Sequence, residues 1–198
     1  MIIRNLKMDL KTKKTDEYTY RLFYSRKGVP VYLAHLDMMR LFERAFQRSG
    51  LQVARTEGFS PKPKIRFALP VGVGVELSCD PFDVDLNCAY TPETIMNKLN
   101  SALTQDIRIV HAEKVHRIEG VKKRSIMALV KSAEYTFLLE RIGRLLPYIR
   151  DKKSILVERP DKGGETSGQI DIAPLIINID SNSENELNAL VCAGSSAN

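Results

Sequence analysis

Apolar and polar residues alternate with a period of two from Tyr18 to Ser25. Tyr18, Tyr20, Leu22 and Tyr24 fall on one side and Thr19, Arg21, Phe23 and Ser25 on the other, which predicts a strand with one wetter face. Arg26-Lys27-Gly28-Val29-Pro30 follows as a basic turn. The period then lengthens. From His35 to Ser49, at about 100° per residue, Met38, Met39, Phe42, Ala45 and Phe46 share a face with His35 at its N-terminal end. Asp37, Arg40, Arg44 and Arg48 line the opposite face, so the segment predicts a helix with an arginine stripe, ended by Gly50. Leu51 to Ala54 reads as a short strand, and Arg55 to Lys64, with Pro61, Pro63 and Gly58, as a stiff basic loop. Ile65 to Val71 resumes as a strand, and Gly72-Val73-Gly74-Val75 suggests a bulge or a close backbone approach. Phe82, Val84 and Leu86 alternate with Asp83 and Asp85 as a half-buried strand. Thr91-Pro92-Glu93-Thr94 opens a helix through Ile95, Met96, Leu99 and Leu103, and Ile107 to Val115 is a strand.

Strand, helix, strand, strand, helix, strand is the order of a ferredoxin-like split βαβ unit. The expected architecture is therefore α+β, built from tandem ferredoxin-like (βαββαβ) units of which the second is incomplete. Residues 1–17 read as a flexible leader, 18–116 as the first unit with a basic surface, and 117–132 as a basic connector that turns helical. Residues 133–198 form the second, truncated unit: strand Glu134–Leu139, helix Ile142–Arg150, strand Ile155–Glu158, a Gly-rich turn, and extended Gln169–Ile172. Pro174–Ile179 then leads to strand Glu186–Cys192. The chain stops at Asn198 before a closing helix and strand, so truncation is expected.

Composition narrows the class. Of 198 residues, 43% are apolar and 27% charged, as in a globular chain. No run approaches the roughly 18 apolar residues of a membrane span, and the N-terminus lacks the apolar core of a signal peptide. With Cys79, Cys88 and Cys192 expected as reduced thiols, this predicts a cytoplasmic protein without membrane contact. The cysteine and histidine spacings fit no zinc or iron–sulfur pattern, and no phosphate loop or nucleophile elbow is present, so no cofactor is expected.

Charge points toward a partner. Residues 1–78 carry 15 Lys+Arg against 7 Asp+Glu, and Arg21 to Arg66 alone holds ten basic residues against Asp37, Glu43 and Glu57. Such an excess attracts polyanions, nucleic acid above all, although a solvated basic face without a ligand has the same composition. The expected RNA contacts are Arg40, Arg44 and Arg48 on the helix, with Arg26, Lys27, Lys62, Lys64 and Arg66 around it. In the loop, Phe59 either stacks on a base or, as the commoner role, anchors inward. His35, near Tyr32 and Asp37, is the one weak catalytic candidate. A ring titrating near pH 6.5 can take the 2′-hydroxyl proton in metal-independent RNA cleavage, but packing at the helix start is the more ordinary role.

Leu33-Ala34-His35-Leu36-Asp37-Met38-Met39-Arg40-Leu41-Phe42-Glu43-Arg44-Ala45 and Gly58-Phe59-Ser60-Pro61-Lys62-Pro63-Lys64-Ile65, together with Tyr20-Arg21-Leu22-Phe23-Tyr24, carry a resemblance. They resemble the bacterial radical-SAM-linked proteins, domain of unknown function 2344, and the similarity runs from about Tyr18 to the C-terminus. Ile155-Leu156-Val157-Glu158-Arg159 and Asp171-Ile172-Ala173-Pro174-Leu175-Ile176 resemble its second-half motifs. The resemblance implies a protein encoded beside, or fused to, a radical SAM enzyme with a cobalamin-type domain, and supplies a partner without a reaction. The expected function is thus a non-catalytic RNA-binding accessory of a radical SAM protein, in tRNA or rRNA modification. The rivals are a metal-independent RNA endonuclease of the CRISPR repeat-processing type, an analogy of fold and basic surface alone, and a pure docking domain for the radical SAM partner.

Overall fold

The computed structural model describes residues 2–4, 18–116, 124–160 and 166–194. Residues 5–17 of the expected leader and 117–123 of the expected connector lie outside them. Ile2–Arg4, read as part of that leader, forms a strand, β1. It is followed by β2 (Tyr18–Arg26), α1 (His35–Ser49), β3 (Ile65–Phe67), β4 (Glu76–Leu86), α2 (Pro92–Ala102) and β5 (Ile107–Lys114). Then come α3 (Ile126–Leu129), β6 (Ser132–Leu138), α4 (Leu146–Arg150), β7 (Leu156–Pro160), β8 (Thr166–Asp171), β9 (Ile176–Ser183) and β10 (Glu186–Cys192). Among the described residues the chain is a mixed α/β protein with four α-helices and mainly antiparallel sheet.

The main sheet has eight strands in the order β5-β2-β4-β1-β6-β10-β9, with β3 also paired to β4. β2 lies antiparallel between β4 and β5. On the far side of β4, β1 runs parallel beside Glu76 and Leu77, and β3 runs antiparallel beside Phe82 to Val84. β1 also pairs antiparallel with β6, so it joins the two halves of the sheet.

α1 occupies its predicted range because its apolar stripe has a sheet to cover. Met38, Phe42, Ala45 and Phe46 are buried against Tyr20, Leu22, Tyr24, Phe82 and Val84, and Ile95 and Leu99 of α2 complete the layer. Phe42 sits among Phe82, Tyr24 and Phe67, with ring centroids 4.9, 5.1 and 5.4 Å away. Gly50 ends α1 in the left-handed region at φ 70°, as its sequence position requires. At the start of α2 the Thr91 hydroxyl accepts from the Thr94 N–H (3.2 Å). Thr91→Ala is expected to lower stability by about 1 kcal/mol, read as a lower urea midpoint at unchanged slope.

Three expectations are corrected. The polar side of β2 is not wet: Thr19 and Arg21 are as buried as Tyr20 and Leu22, and Asp83 and Asp85 of β4 are buried with them. β4 also starts earlier than expected, taking in Cys79, Asp80 and Pro81. In the second half, β6 and β10 lie where the alternation places them, but the predicted helix Ile142–Arg150 is a 3-10 turn (Ile142–Leu145) followed by the five-residue α4. Gly143 presses against the Ser181 side chain and the Ser183 and Glu184 carbonyls of the β9–β10 hairpin, leaving no room for a side chain there. β7 and β8 pair only with each other, apart from the main sheet, while β9 and β10 extend it beyond β6.

Candidate nucleic-acid interface

The outer face of α1 is exposed at Arg40, Arg44 and Arg48. Arg40 Nη1 donates to Asp37 Oδ1 (3.1 Å), an exposed i,i+3 pair of the kind that adds little to stability. Arg48 Nη2 donates to the Ala102 carbonyl at the end of α2 (2.8 Å), and Arg44 has no ion-pair partner among the described residues. The stripe therefore keeps its charge facing solvent, with Arg40 partly neutralised.

Arg26 belongs elsewhere. It is 1% exposed, and its Nη2 donates to the Gly72 and Val75 carbonyls (3.1 and 2.8 Å) while Nη1 reaches the Leu33 carbonyl (3.4 Å). A guanidinium that ties the turn before α1 to the Gly72–Val75 loop cannot meet a phosphate. Gly74, at φ 83°, adds an N–H to the Val31 carbonyl (2.8 Å), so the close backbone approach expected of this glycine run is present. Lys27, one residue on from Arg26, is exposed.

The basic loop is an arm. Ala54 donates to the Asp85 carbonyl, Asp85 to the Lys64 carbonyl and Lys64 to the Ala54 carbonyl, so both ends of the arm are fixed to β4. Further out, the Thr56 N–H meets the Lys62 carbonyl (2.9 Å), the Lys62 N–H meets Thr56 Oγ1 (2.9 Å), and Arg55 Nη1 reaches the Pro61 carbonyl (3.2 Å). With Pro61 and Pro63 fixing φ, the arm is braced across its width. Arg55, Lys62 and Lys64 are exposed along it, and Phe59 at its tip is fully exposed, the reverse of the inward anchor expected.

Arg66 is also removed from the interface. Its Nη1 and Nη2 grip Asp85 Oδ2 and Oδ1 (2.8 and 2.7 Å), and the Thr19 hydroxyl donates to the same carboxylate (2.8 Å). Arg21 holds Asp83 likewise, Nε to Oδ1 at 2.9 Å and Nη2 to Oδ2 at 3.2 Å. These paired side chains stand on the sheet face opposite α1 and α2, because they alternate with the core residues Tyr20, Leu22, Phe82 and Val84. The eight expected contacts therefore do not share one surface. Six stay exposed, namely Lys27, Arg40, Arg44, Arg48, Lys62 and Lys64, while Arg26 and Arg66 hold the fold together.

His35 is half-buried with its ring 5.7 Å from Phe67 in an edge-on contact, and its neighbour Asp37 engages Arg40. That is the packing role at the helix start. A group that sequence reasoning missed lies on β4, opposite Tyr24 of the same aromatic cluster. Asp80, opposite Tyr24 in the β2–β4 register, is 1% exposed, and no donor reaches hydrogen-bonding geometry at either of its oxygens. Burial pushes its carboxyl up to about 7, only partly offset by the nearby Tyr24 hydroxyl and Arg26 charge. Burial, then the Asp80 charge, raises the Tyr24 phenol in turn, and the Cys79 thiol is raised for the same two reasons. Among the described residues no three His, Cys, Asp or Glu side chains gather as metal ligands would.

An α/β chain with a cationic helix face, a braced basic arm and no helix among its described residues long and apolar enough to cross a membrane is the class these features define. The family described as "Uncharacterized protein conserved in bacteria (DUF2344)" matches residues 19–198, and the chain belongs to it. A comparison with curated proteins finds no match.

Proposed function

We propose that this protein is a non-catalytic RNA-binding accessory, acting in the cytoplasm beside a radical SAM enzyme in tRNA or rRNA modification. The observation that carries the reading is the set of exposed cations on α1, the arm and the turn after β2: Arg44, Lys62, Lys64 and Lys27 have no carboxylate partner among the described residues. Unneutralised cations at a surface are what a phosphate backbone releases its counterions to meet. For the fold we infer a ferredoxin-like first unit, since β2-α1-β3-β4-α2-β5 gives the antiparallel order β5-β2-β4-β3. The second half as an incomplete copy rests on chain order alone.

If four phosphates are met, affinity for single-stranded RNA falls about 50-fold between about 50 and 200 mM salt. Lys62→Ala and Lys64→Ala each lower that slope by about one phosphate contact, whereas Arg26→Met lowers stability and leaves the slope unchanged. Filter binding across a salt series checks this, and salt-independent affinity or no binding at low salt sinks it. Docking on a protein partner has its own support. Val29, Tyr32 and Leu36 are exposed around the start of α1, and Val73 is exposed on the loop whose Gly74 N–H meets the Val31 carbonyl, apolar side chains of the kind that a partner protein covers.

A further inference from the structure

Phe59 is fully exposed, while Phe42, Phe46, Phe67 and Phe82 are all buried. A ring of this size gains roughly 1.5–3 kcal/mol by burial, and here that gain is forgone. The arm's own hydrogen bonds explain why the ring does not fold back: Thr56 and Lys62 are bonded across it in both directions, Arg55 bridges to Pro63, and Lys64 is fixed to Ala54. Gly58, at φ 119°, takes the backbone through a conformation that few other residues adopt just before the ring, so the chain turns Phe59 outward at the tip. A single exposed apolar side chain is ordinary on a protein surface. A single ring held out on a braced arm is less so, and its flanks name the ligand. Arg55, Lys62 and Lys64 stand along the arm against one acid, Glu57.

We propose that the arm is a single-strand RNA contact in which Phe59 stacks on an unpaired base while Arg55, Lys62 and Lys64 hold the neighbouring phosphates. The inference rests on the RNA-binding reading and narrows it to unpaired nucleotides. A stacking ring needs the face of a base, and in a duplex those faces are covered by their neighbours. A protein partner fits the tip less well. One ring offers far too little apolar area for a stable protein interface, and the exposed side chains along the arm behind it are cations. The stack adds affinity without sequence preference, because every base has a π-face, and leaves the salt dependence to the cations.

The chain contains no tryptophan, so Phe59→Trp places a single indole reporter at the tip. The full-length variant is titrated with a single-stranded oligonucleotide of about 12 nucleotides, within the usual span of a single-strand site, and with a duplex of the same length. The single strand is expected to quench the indole and the duplex to leave it unquenched. Phe59→Leu, which keeps an apolar side chain but loses the π-face, is expected to weaken single-strand binding about 10-fold or more at an unchanged salt slope, with Phe59→Tyr restoring it. Single-strand binding that persists at full strength in Phe59→Leu, or equal quenching by duplex, overturns the stacking inference and leaves the RNA-binding reading standing. Absence of any RNA binding by the wild-type chain at low salt overturns both. Quenching by a protein partner together with RNA binding indifferent to residue 59 makes the tip a protein contact, and also overturns the inference.

Discussion

Asp80→Asn is expected to raise the stability of the fold by about 2–3 kcal/mol at alkaline pH and to lower it by about 1–2 kcal/mol at about pH 4. Most acid-to-amide changes in a core destabilise, so the direction is the test. Asp80 is buried in β4 with no donor placed on either oxygen, and its carboxyl titrates at about 7 against an ordinary 3.8. Between those values the folded chain holds a proton that the unfolded chain has released. The contribution of the neutral acid is thus present in full below about pH 4 and is lost as pH rises through about 7. Holding the carboxyl at about 7 instead of 3.8, at about 1.4 kcal/mol for each tenfold change in proton affinity, sets a ceiling near 4 kcal/mol. The Asn amide, which is also short of partners, takes back roughly 1–2 kcal/mol. Urea unfolding of wild type and variant across this pH range isolates the Asp80 contribution, because every other group titrates in both. A variant less stable than wild type at alkaline pH, or a difference independent of pH, shows that the charged carboxylate is well solvated and sinks the prediction.

Features fixed by a few neighbouring residues were readable in the sequence. The stripe of α1, the Gly50 stop, the Thr91 cap and the run of β10 each depend on contacts within one element or its ends, where periodicity and cap chemistry speak directly. What escaped reading depends on residues far apart in the chain. Alternation assigns a charged residue in a strand to water, yet Arg21 and Asp83, 62 residues apart, neutralise each other between strands and are both buried. Arg26 reads as part of a basic turn, but the carbonyls that hold it belong to residues 33, 72 and 75, and their convergence is a tertiary event. Phe59 reads as an anchor because apolar residues ordinarily seek the core; the cross-arm hydrogen bonds from Thr56 and Lys62 that keep it out have no periodic signature. The candidate interface was accordingly legible in its exposed cations and illegible in its limits, since counting basic residues cannot separate those that face solvent from those that join strands. The second half fails for a related reason. Its alternating segments announce strands, but whether β7 joins the main sheet or pairs with β8 alone is a choice of partner, not of conformation.

The buried pair Arg21–Asp83 supplies the other large effect. Arg21→Met is expected to lower stability by about 3–5 kcal/mol, because it leaves the Asp83 carboxylate out of water without its two guanidinium hydrogen bonds. Side-chain exposure is 2% for Arg21 and 5% for Asp83, so solvent cannot take over the missing partner. Adding Asp83→Leu to Arg21→Met is expected to recover at least half of that loss, since two apolar side chains replace two charges and neither is left unpaired. The recovery is limited by Glu113, which lies opposite Arg21 on β5, and by Arg66, which lies opposite Asp83 on β3 but holds Asp85. Unfolding of the two single variants and the double variant in denaturant gives the coupling directly, and a strongly favourable coupling is the expected sign. If Arg21→Met costs less than about 1 kcal/mol, typical of an exposed pair, water reaches Asp83 and this face of the sheet is open in solution. The distinction bears on function, because a closed face confines polyanion binding to α1 and the arm, while an open one returns Arg21 and Arg66 to the surface.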